Sequence, residues 1–365
     1  MQLEFFPSRT VAIYMARKFL TSILAVAALL FLILQSLDLL GESGKILAYP
    51  GNGQAQLLTY ISLRAPQIID LVLPFSVLLA TIITLATLNQ NSEVVAMKAS
   101  GLSAHQVLAP LLIAALAVSA ITFAFSERIL SRATATLTAW QQADFGPIPR
   151  DSNVKANIWV RDGDNIIQAQ TVEGTGNATR LTGIAVYARD SQGGLARIIR
   201  ASEGVYTGQG WKLTNASQFD VTTGQKQQLG DITAASGVRP DQFTLSKVNP
   251  EGLSFLQLWA AIDELKAAGR PTASLESNLW HKLSGPLSAL LMPLLGAVAA
   301  FGLARSGQLF LRAVLGMALG FAYFVADNFA LAMGNLGAYP PILAAWSPFF
   351  LFLMVGETVL IRTEE

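Results

Sequence analysis

The sequence predicts an α-helical membrane bundle of six transmembrane helices, three on each side of an inserted β-rich domain. Three observations carry that expectation. The chain is 52% hydrophobic and only 13% charged, whereas soluble domains carry about a quarter charged residues. Charge-free windows lie between Lys18 and Asp38, Asp70 and Glu93, His105 and Glu127, and Lys282 and Arg305. Each is about long enough to cross a 30 Å hydrocarbon core at roughly 1.5 Å per helical residue. Finally, most of the charge is concentrated in one segment, residues 127 to 278.

The first window, Phe19 to Leu37, is uncharged and follows Arg9, Arg17 and Lys18. A signal-peptide core is shorter, about 7 to 15 residues, so the reading is an uncleaved first helix. Beyond Arg312 the apolar stretch reaches Leu360, broken by Asp327, Asn328 and the segment from Gly334 to Pro341. It reads as helix, tight outer loop, helix, and supplies spans five and six. Short-loop cations then set the orientation. Arg9, Arg17, Lys18, Lys98, Arg305, Arg312 and Arg362 fall on one side, against Lys45 and Arg64 on the other. Both termini are therefore expected in the cytoplasm and the insert outside. The expected domains are 1–126 (spans one to three, with a short cytoplasmic helix at about 90–102), 127–278 (the insert) and 279–365 (spans four to six).

Within the insert, Ile158 to Val160, Ile166 to Val172, Gly183 to Ala188, Ala196 to Ile199, Gly204 to Thr207, Trp211 to Leu213 and Gln218 to Val221 are short and rich in Val, Ile, Tyr and Thr. Asp-Gly, Gly-Gly and Gly-Gln-Gly turns separate them. A β-sandwich or jelly roll is the expectation. Ser254 to Ala268 reads as a helix ending at Gly269.

Composition excludes several classes. There is no Cys, hence no disulfide scaffold, thiolate metal site or Cys nucleophile. Lys plus Arg (25) balances Asp plus Glu (24), which gives no argument for nucleic acid. No catalytic residue and no metal ligand set is expected: His105 and His281 are isolated in sequence, and neither His-Glu-x-x-His nor Gly-x-Ser-x-Gly occurs. Gly41-Glu-Ser-Gly-Lys45 fails as a phosphate loop, because the glycines are too close and Ile46 stands where Ser or Thr is needed. Any ATP must be hydrolysed by another subunit.

The segment from Asn89 to Gly101 joins spans two and three on the cytoplasmic face. Ser92 is placed to cap a short helix, Val94, Val95 and Met97 supply apolar contacts, and Gly101 suits a left-handed end. Such a helix can dock in a partner's groove or simply turn the chain. Ser92-Glu-Val-Val-Ala-Met-Lys-Ala-Ser-Gly-Leu-Ser103 resembles the coupling-helix motif of the lipopolysaccharide export permeases, the LptF and LptG family. The similarity extends through Ile158-Trp-Val-Arg-Asp-Gly163, Gly183-Ile-Ala-Val-Tyr187, Gly316-Met-Ala-Leu-Gly-Phe-Ala-Tyr-Phe-Val-Ala-Asp327 and Tyr339-Pro-Pro-Ile342. These stretches are closer to the LptG branch than to the LptF branch.

The resemblance implies the membrane-embedded permease of an ABC transporter in the bacterial inner membrane. It would have no cofactor of its own. A dimer of the ATPase LptB binds ATP and magnesium, LptF forms the other membrane half, and LptC and then LptA receive lipopolysaccharide through a bridge of periplasmic jellyrolls. Carried over residue by residue, Glu93, Val94, Met97, Lys98, Ser100 and Gly101 are the ATPase-coupling set. Lys45, Arg64, Arg128, Arg132 and Asp327 are candidates for contact with the phosphorylated lipid, through charge-assisted hydrogen bonds in the case of the cations. Gly316 and Gly320 would pack on the partner half. The chain departs from the family where basic residues at the end of span one fall on Gly41 and Glu42. An LptF-type partner subunit, another lipid or lipoprotein extractor, and a non-transporting scaffold are the alternatives.

Overall fold

The structure is a computed structural model that describes residues 7–147, 155–174, 178–189, 194–221, 223–244, 249–267, 269–301 and 309–362. It divides into two compact units. The helical unit comprises 1–42, 58–131 and 253–365, and the sheet-bearing unit comprises 43–57 and 132–252. The sheet-bearing unit is narrower than the expected 127–278 at both ends, and the helix before the fourth expected span belongs to the helical unit.

Ten α-helices are found among the described residues: α1 (Arg9–Ala48), α2 (Gln54–Gln90), α3 (Glu93–Ala99), α4 (Ala104–Phe125), α5 (Ser131–Gln142), α6 (Pro240–Thr244), α7 (Phe255–Ala267), α8 (Ala273–Phe301), α9 (Leu309–Asn335) and α10 (Pro341–Arg362). A π-helical turn, Ser126–Leu130, joins α4 to α5 into one continuous stretch. Among the described residues five stretches are long and apolar enough to cross a membrane: α1, α2, α4 with α5, α9 from Val314, and α10. The fourth expected span falls on α8, and Arg305 lies outside the described residues.

The first two helices are longer than a bilayer needs. The 40 residues of α1 and 37 of α2 correspond to about 60 and 55 Å at 1.5 Å per residue. The C-terminal end of α1, from Ser43, belongs to the sheet-bearing unit. Gly41 to Lys45 lies within α1, so this stretch is helical and no phosphate loop forms there. Internal prolines at 66, 74, 110, 286, 293 and 348 are accommodated, as in helices whose neighbours or hydroxyl side chains satisfy the freed backbone groups.

The helical core is built from the N-terminal part of α1 (Met15, Phe19, Ile23), from α2, α4, α8 and α10, and from Tyr323 of α9. Small residues bring these helices close. Gly320 of α9 faces Leu78 of α2, where a Cβ would collide. Gly334 lies against Ala344 of α10 and Ser277 of α8, 2.5 and 2.6 Å from where its Cβ would stand. Without a hydrophobic force between helices in lipid, such close approach supplies much of the association energy. At the junction of α7 and α8, Lys266 Nζ lies 3.0 Å from Glu276. The Thr272 hydroxyl, and then Lys266, hold the Glu276 carboxyl below its ordinary range.

In the other unit, β1 (Lys155–Asp162), β2 (Asn165–Glu173), β3 (Arg180–Arg189), β4 (Leu195–Tyr206), β5 (Trp211–Asp220) and β6 (Lys226–Ala234) form one antiparallel sheet in consecutive order. The described residues thus form a meander, each strand paired with the one before it. This differs from the expected sandwich or jelly roll, whose strands change sheets through long connections. The sheet's inner face carries Ile158, Ile167, Ala169, Leu181, Ile184, Trp211 and Leu213 and is closed by Val238 and Phe243. Trp211 donates its indole hydrogen to the Val238 carbonyl at 2.8 Å and meets the Phe243 ring edge-on at 5.2 Å. Because α6 also touches β1, the sheet curls until its ends share one plug.

Gly204 of β4 lies on that inner face, where a Cβ would stand 2.5 Å from Ile184 Cδ1 and 3.1 Å from Leu213 Cδ2. Gly204→Val should overpack the face at a cost of about 1–3 kcal/mol. Hydrogen exchange should show protection lost in β3 and β5 and kept in α8 and α10. Unchanged protection in the strands would contradict this packing.

Candidate functional site

The short helix α3 presents the expected coupling residues as a compact surface. Val94 is buried in the helical core and Met97 packs against it, while Val95, Lys98, Ser100 and Gly101 are exposed. The helix ends as the sequence suggests. Gly101 takes φ +89°, its N–H reaches the Lys98 carbonyl, and the Leu102 N–H reaches the Met97 carbonyl. This is a Schellman closure, which needs a residue free to adopt the left-handed region. The start differs from expectation. Ser92 adopts φ 60° and its side chain makes no cap. The loop instead tightens through Ser92 N–H to the Asn89 carbonyl. Ser103 then opens α4 with a complete capping box to Gln106.

Glu93 is held rather than free. Its Oε1 accepts from the Tyr14 hydroxyl at 3.3 Å and from Asn91 Nδ2 at 3.2 Å, with Lys18 Nζ at 3.9 Å. Sequence reasoning missed Tyr14, because 79 residues separate it from Glu93.

The expected lipid-contact residues are placed differently from one another. Arg64 is committed within the chain: Nε and Nη2 donate to Asp38 Oδ1 at 3.1 and 2.9 Å, and Nη1 reaches Gln67. The Tyr60 hydroxyl donates to the other Asp38 oxygen at 2.7 Å. Lys45, Arg128 and Arg132 are exposed. Arg128 lies in the π-helical turn and Arg132 in the first turn of α5. The neighbouring Glu127 accepts the Phe255 N–H at the start of α7, a favourable place for a carboxylate. A π-helical turn is often found at functional sites. Lys45 and Arg132 belong to the sheet-bearing unit, Arg64 and Arg128 to the helical unit.

Asp327 takes a structural place. It is only 7% exposed, and its Oδ2 lies 2.9 Å from His281 Nε2 of α8. A buried carboxylate needs a partner, and the adjacent helix supplies it. His281 is therefore not isolated. Neither is His105, whose Nε2 lies 3.3 Å from Glu357 Oε2 and so ties α4 to α10. Gly320 is likewise used inside the chain, against Leu78; Gly316 is buried. Among the described residues no group of three or more His, Asp or Glu is placed to hold a metal ion.

Asp327→Ala would leave His281 without its carboxylate and should cost about 1–3 kcal/mol. Asp327→Asn, which keeps one hydrogen bond, should cost less. Thermal unfolding in detergent checks the order; equal stability of the alanine variant and the native chain would remove the role given to the pair.

A protein-family model described as the lipopolysaccharide export system permease LptF/LptG matches residues 13–362. The chain is 26% identical over 310 residues to the lipopolysaccharide export system permease protein LptG of Escherichia coli strain K12, covering 83% of this chain and 84% of that protein. It is 25% identical over 326 residues to LptG of Haemophilus influenzae, covering 85% and 87% respectively. The match runs from the start of α1 to the end of α10 and takes in α3, its glycine-closed end and the six-stranded insert, and by it the chain belongs to the LptF/LptG family of lipopolysaccharide export permeases.

Proposed function

We propose that this chain is the LptG-type half of an ATP-driven exporter that lifts lipopolysaccharide out of the outer leaflet of the inner membrane. In this reading α8 completes a set of six spans, both termini face the cytoplasm, and the six-stranded sheet stands in the periplasm. That arrangement follows from the short-loop cations. Lipid enters beside an LptF partner, passes along the sheet-bearing units, and leaves through LptC toward LptA. An LptB dimer binds ATP with magnesium and hydrolyses the ATP, so this subunit performs no hydrolysis.

The observation that carries the reading is α3. A seven-residue helix with Val94 anchored in the core and Val95, Lys98 and Ser100 exposed is a rigid peg fixed at one face and open at the other. It can deliver a push from a docked ATPase to α2 and α4, which it joins.

Lys45, Arg128 and Arg132 are exposed cations of the kind that bind phosphate oxygens; Arg64 acts by holding Asp38. On α9, the ridge Met317, Phe321, Val325 and Phe329, all exposed, is a better face for LptF than Gly316 and Gly320. Those glycines are buried, and Gly320 already packs on α2.

Copurification with LptB and LptF is the first test, and failure of both to associate would overturn the assignment. Glu93→Ala should then lower ATP-driven lipopolysaccharide release by about tenfold, the scale of a lost charge-assisted contact. Native release from that variant would remove Glu93 from the coupling set.

A further inference from the structure

The carboxylate of Glu93 faces its own chain as well as its surroundings. The Tyr14 hydroxyl, Asn91 Nδ2 and Lys18 Nζ all converge on Oε1, at 3.3, 3.2 and 3.9 Å. Lys18 also donates to the Tyr14 hydroxyl at 3.4 Å and stands 5.5 Å from the Tyr14 ring centroid. Tyr14 and Lys18 are i and i+4 on α1 and hence neighbours on one helix face. The contacts among the described residues leave Oε2 as an acceptor, and the side chain is 31% exposed. A carboxylate can accept several hydrogen bonds, so Glu93 can be held from within and engaged from outside together.

The same turns of α1 carry Met15 and Phe19, both at 0% exposure in the core that Val94 also enters. The inner end of α1 is thus joined to α3 twice, through shared apolar packing and through the cluster at Glu93. Its middle is different: only 11% of its most apolar window is buried in this chain, and Leu24, Leu29, Leu32 and Leu37 are 59–70% exposed. Asp38 holds the far end to α2, so a displacement of the inner end turns α1 about that contact, with its unpacked middle offering little resistance.

We infer that Tyr14 and Lys18 are positioning residues that clamp Glu93 to α1, so that a displacement of α3 is passed to α1. This rests on the reading of α3 as the ATPase contact. Tyr14 and Lys18 act through Glu93. Their contribution is to make one body of the docking helix and the first span, and so to tie lipid movement to each ATP consumed.

The test uses the full complex with its partners, reconstituted in lipopolysaccharide-containing vesicles, and reads lipid released per ATP hydrolysed. Tyr14→Phe removes one oxygen from a half-exposed side chain, and Lys18→Gln removes one charge. Each should lower the ratio about two- to fivefold, the range for a partly exposed polar contact. Lys18→Arg should recover most of it. In a Glu93→Ala background Tyr14→Phe should add nothing, since the acceptor of its hydroxyl is already gone. A native ratio in both Tyr14→Phe and Lys18→Gln, or losses that simply add to that of Glu93→Ala, would overturn the clamp. A native complex that hydrolyses ATP and releases no lipid would instead overturn the transport reading, and the clamp with it.

Discussion

The first helix is bound to the rest of its unit mainly at its ends, and the organisation of the helical unit follows from that constraint. Toward its N-terminus Met15, Phe19 and Ile23 enter the core beside Val94. Toward its C-terminus Asp38 receives Tyr60 and Arg64 from α2. Between them lies a run of exposed leucines. Lipid tails are as apolar as leucine, so burial alone gives such a run no reason to prefer protein. Directional contacts at the two ends therefore fix where α1 stands, and its long exposed face is left for lipid or a second subunit.

Ionisable groups in the remaining helices follow the same logic. Asp327 meets His281 between α9 and α8, and His105 meets Glu357 between α4 and α10. The first pair joins two helices that also pack closely, and the second joins α4 and α10, each of which packs on α8. A charge in an apolar bundle is costly alone, but a pair that satisfies both members also selects one registry of the helices. With the close packing of Gly334 of α9 on Ala344 of α10 and Ser277 of α8, these contacts hold α4, α8, α9 and α10 as a block, against which the mobility proposed for α1 has meaning.

The windows of uncharged sequence located the long apolar helices, because bilayer thickness imposes a length that composition reveals directly. Pairings were less legible. Asp327 needed a partner, yet nothing near it in sequence was suitable, and His281 is 46 residues away. The strands show another limit. Ala196 to Ile199 and Gly204 to Thr207 read as two strands but form the single β4, and Trp211 to Leu213 with Gln218 to Val221 fall largely on the single β5. In β5 the polar stretch that interrupts the pattern is a shift of register, with Asn215 at φ 55°. Such a bulge preserves pairing while breaking alternation. The edge strand β6, Lys-Gln-Gln-Leu-Gly-Asp-Ile-Thr-Ala, is largely exposed and carries no hydrophobic period to find. At α3 the motif was visible in full, whereas the hold of Tyr14 and Lys18 on Glu93 belongs to tertiary structure alone.

In the proposed reading, a mechanical route through the helical unit begins at a seven-residue helix. Its buried residue fixes it to the core, its acid joins it to α1, and its exposed face awaits a partner. The most direct measurement is site-specific photo-cross-linking from Val95, which is 59% exposed on α3, in membranes containing the whole exporter. The account predicts a covalent adduct with the ATPase subunit. Adducts with lipid alone, or none with the ATPase in an assembled and active complex, would contradict it.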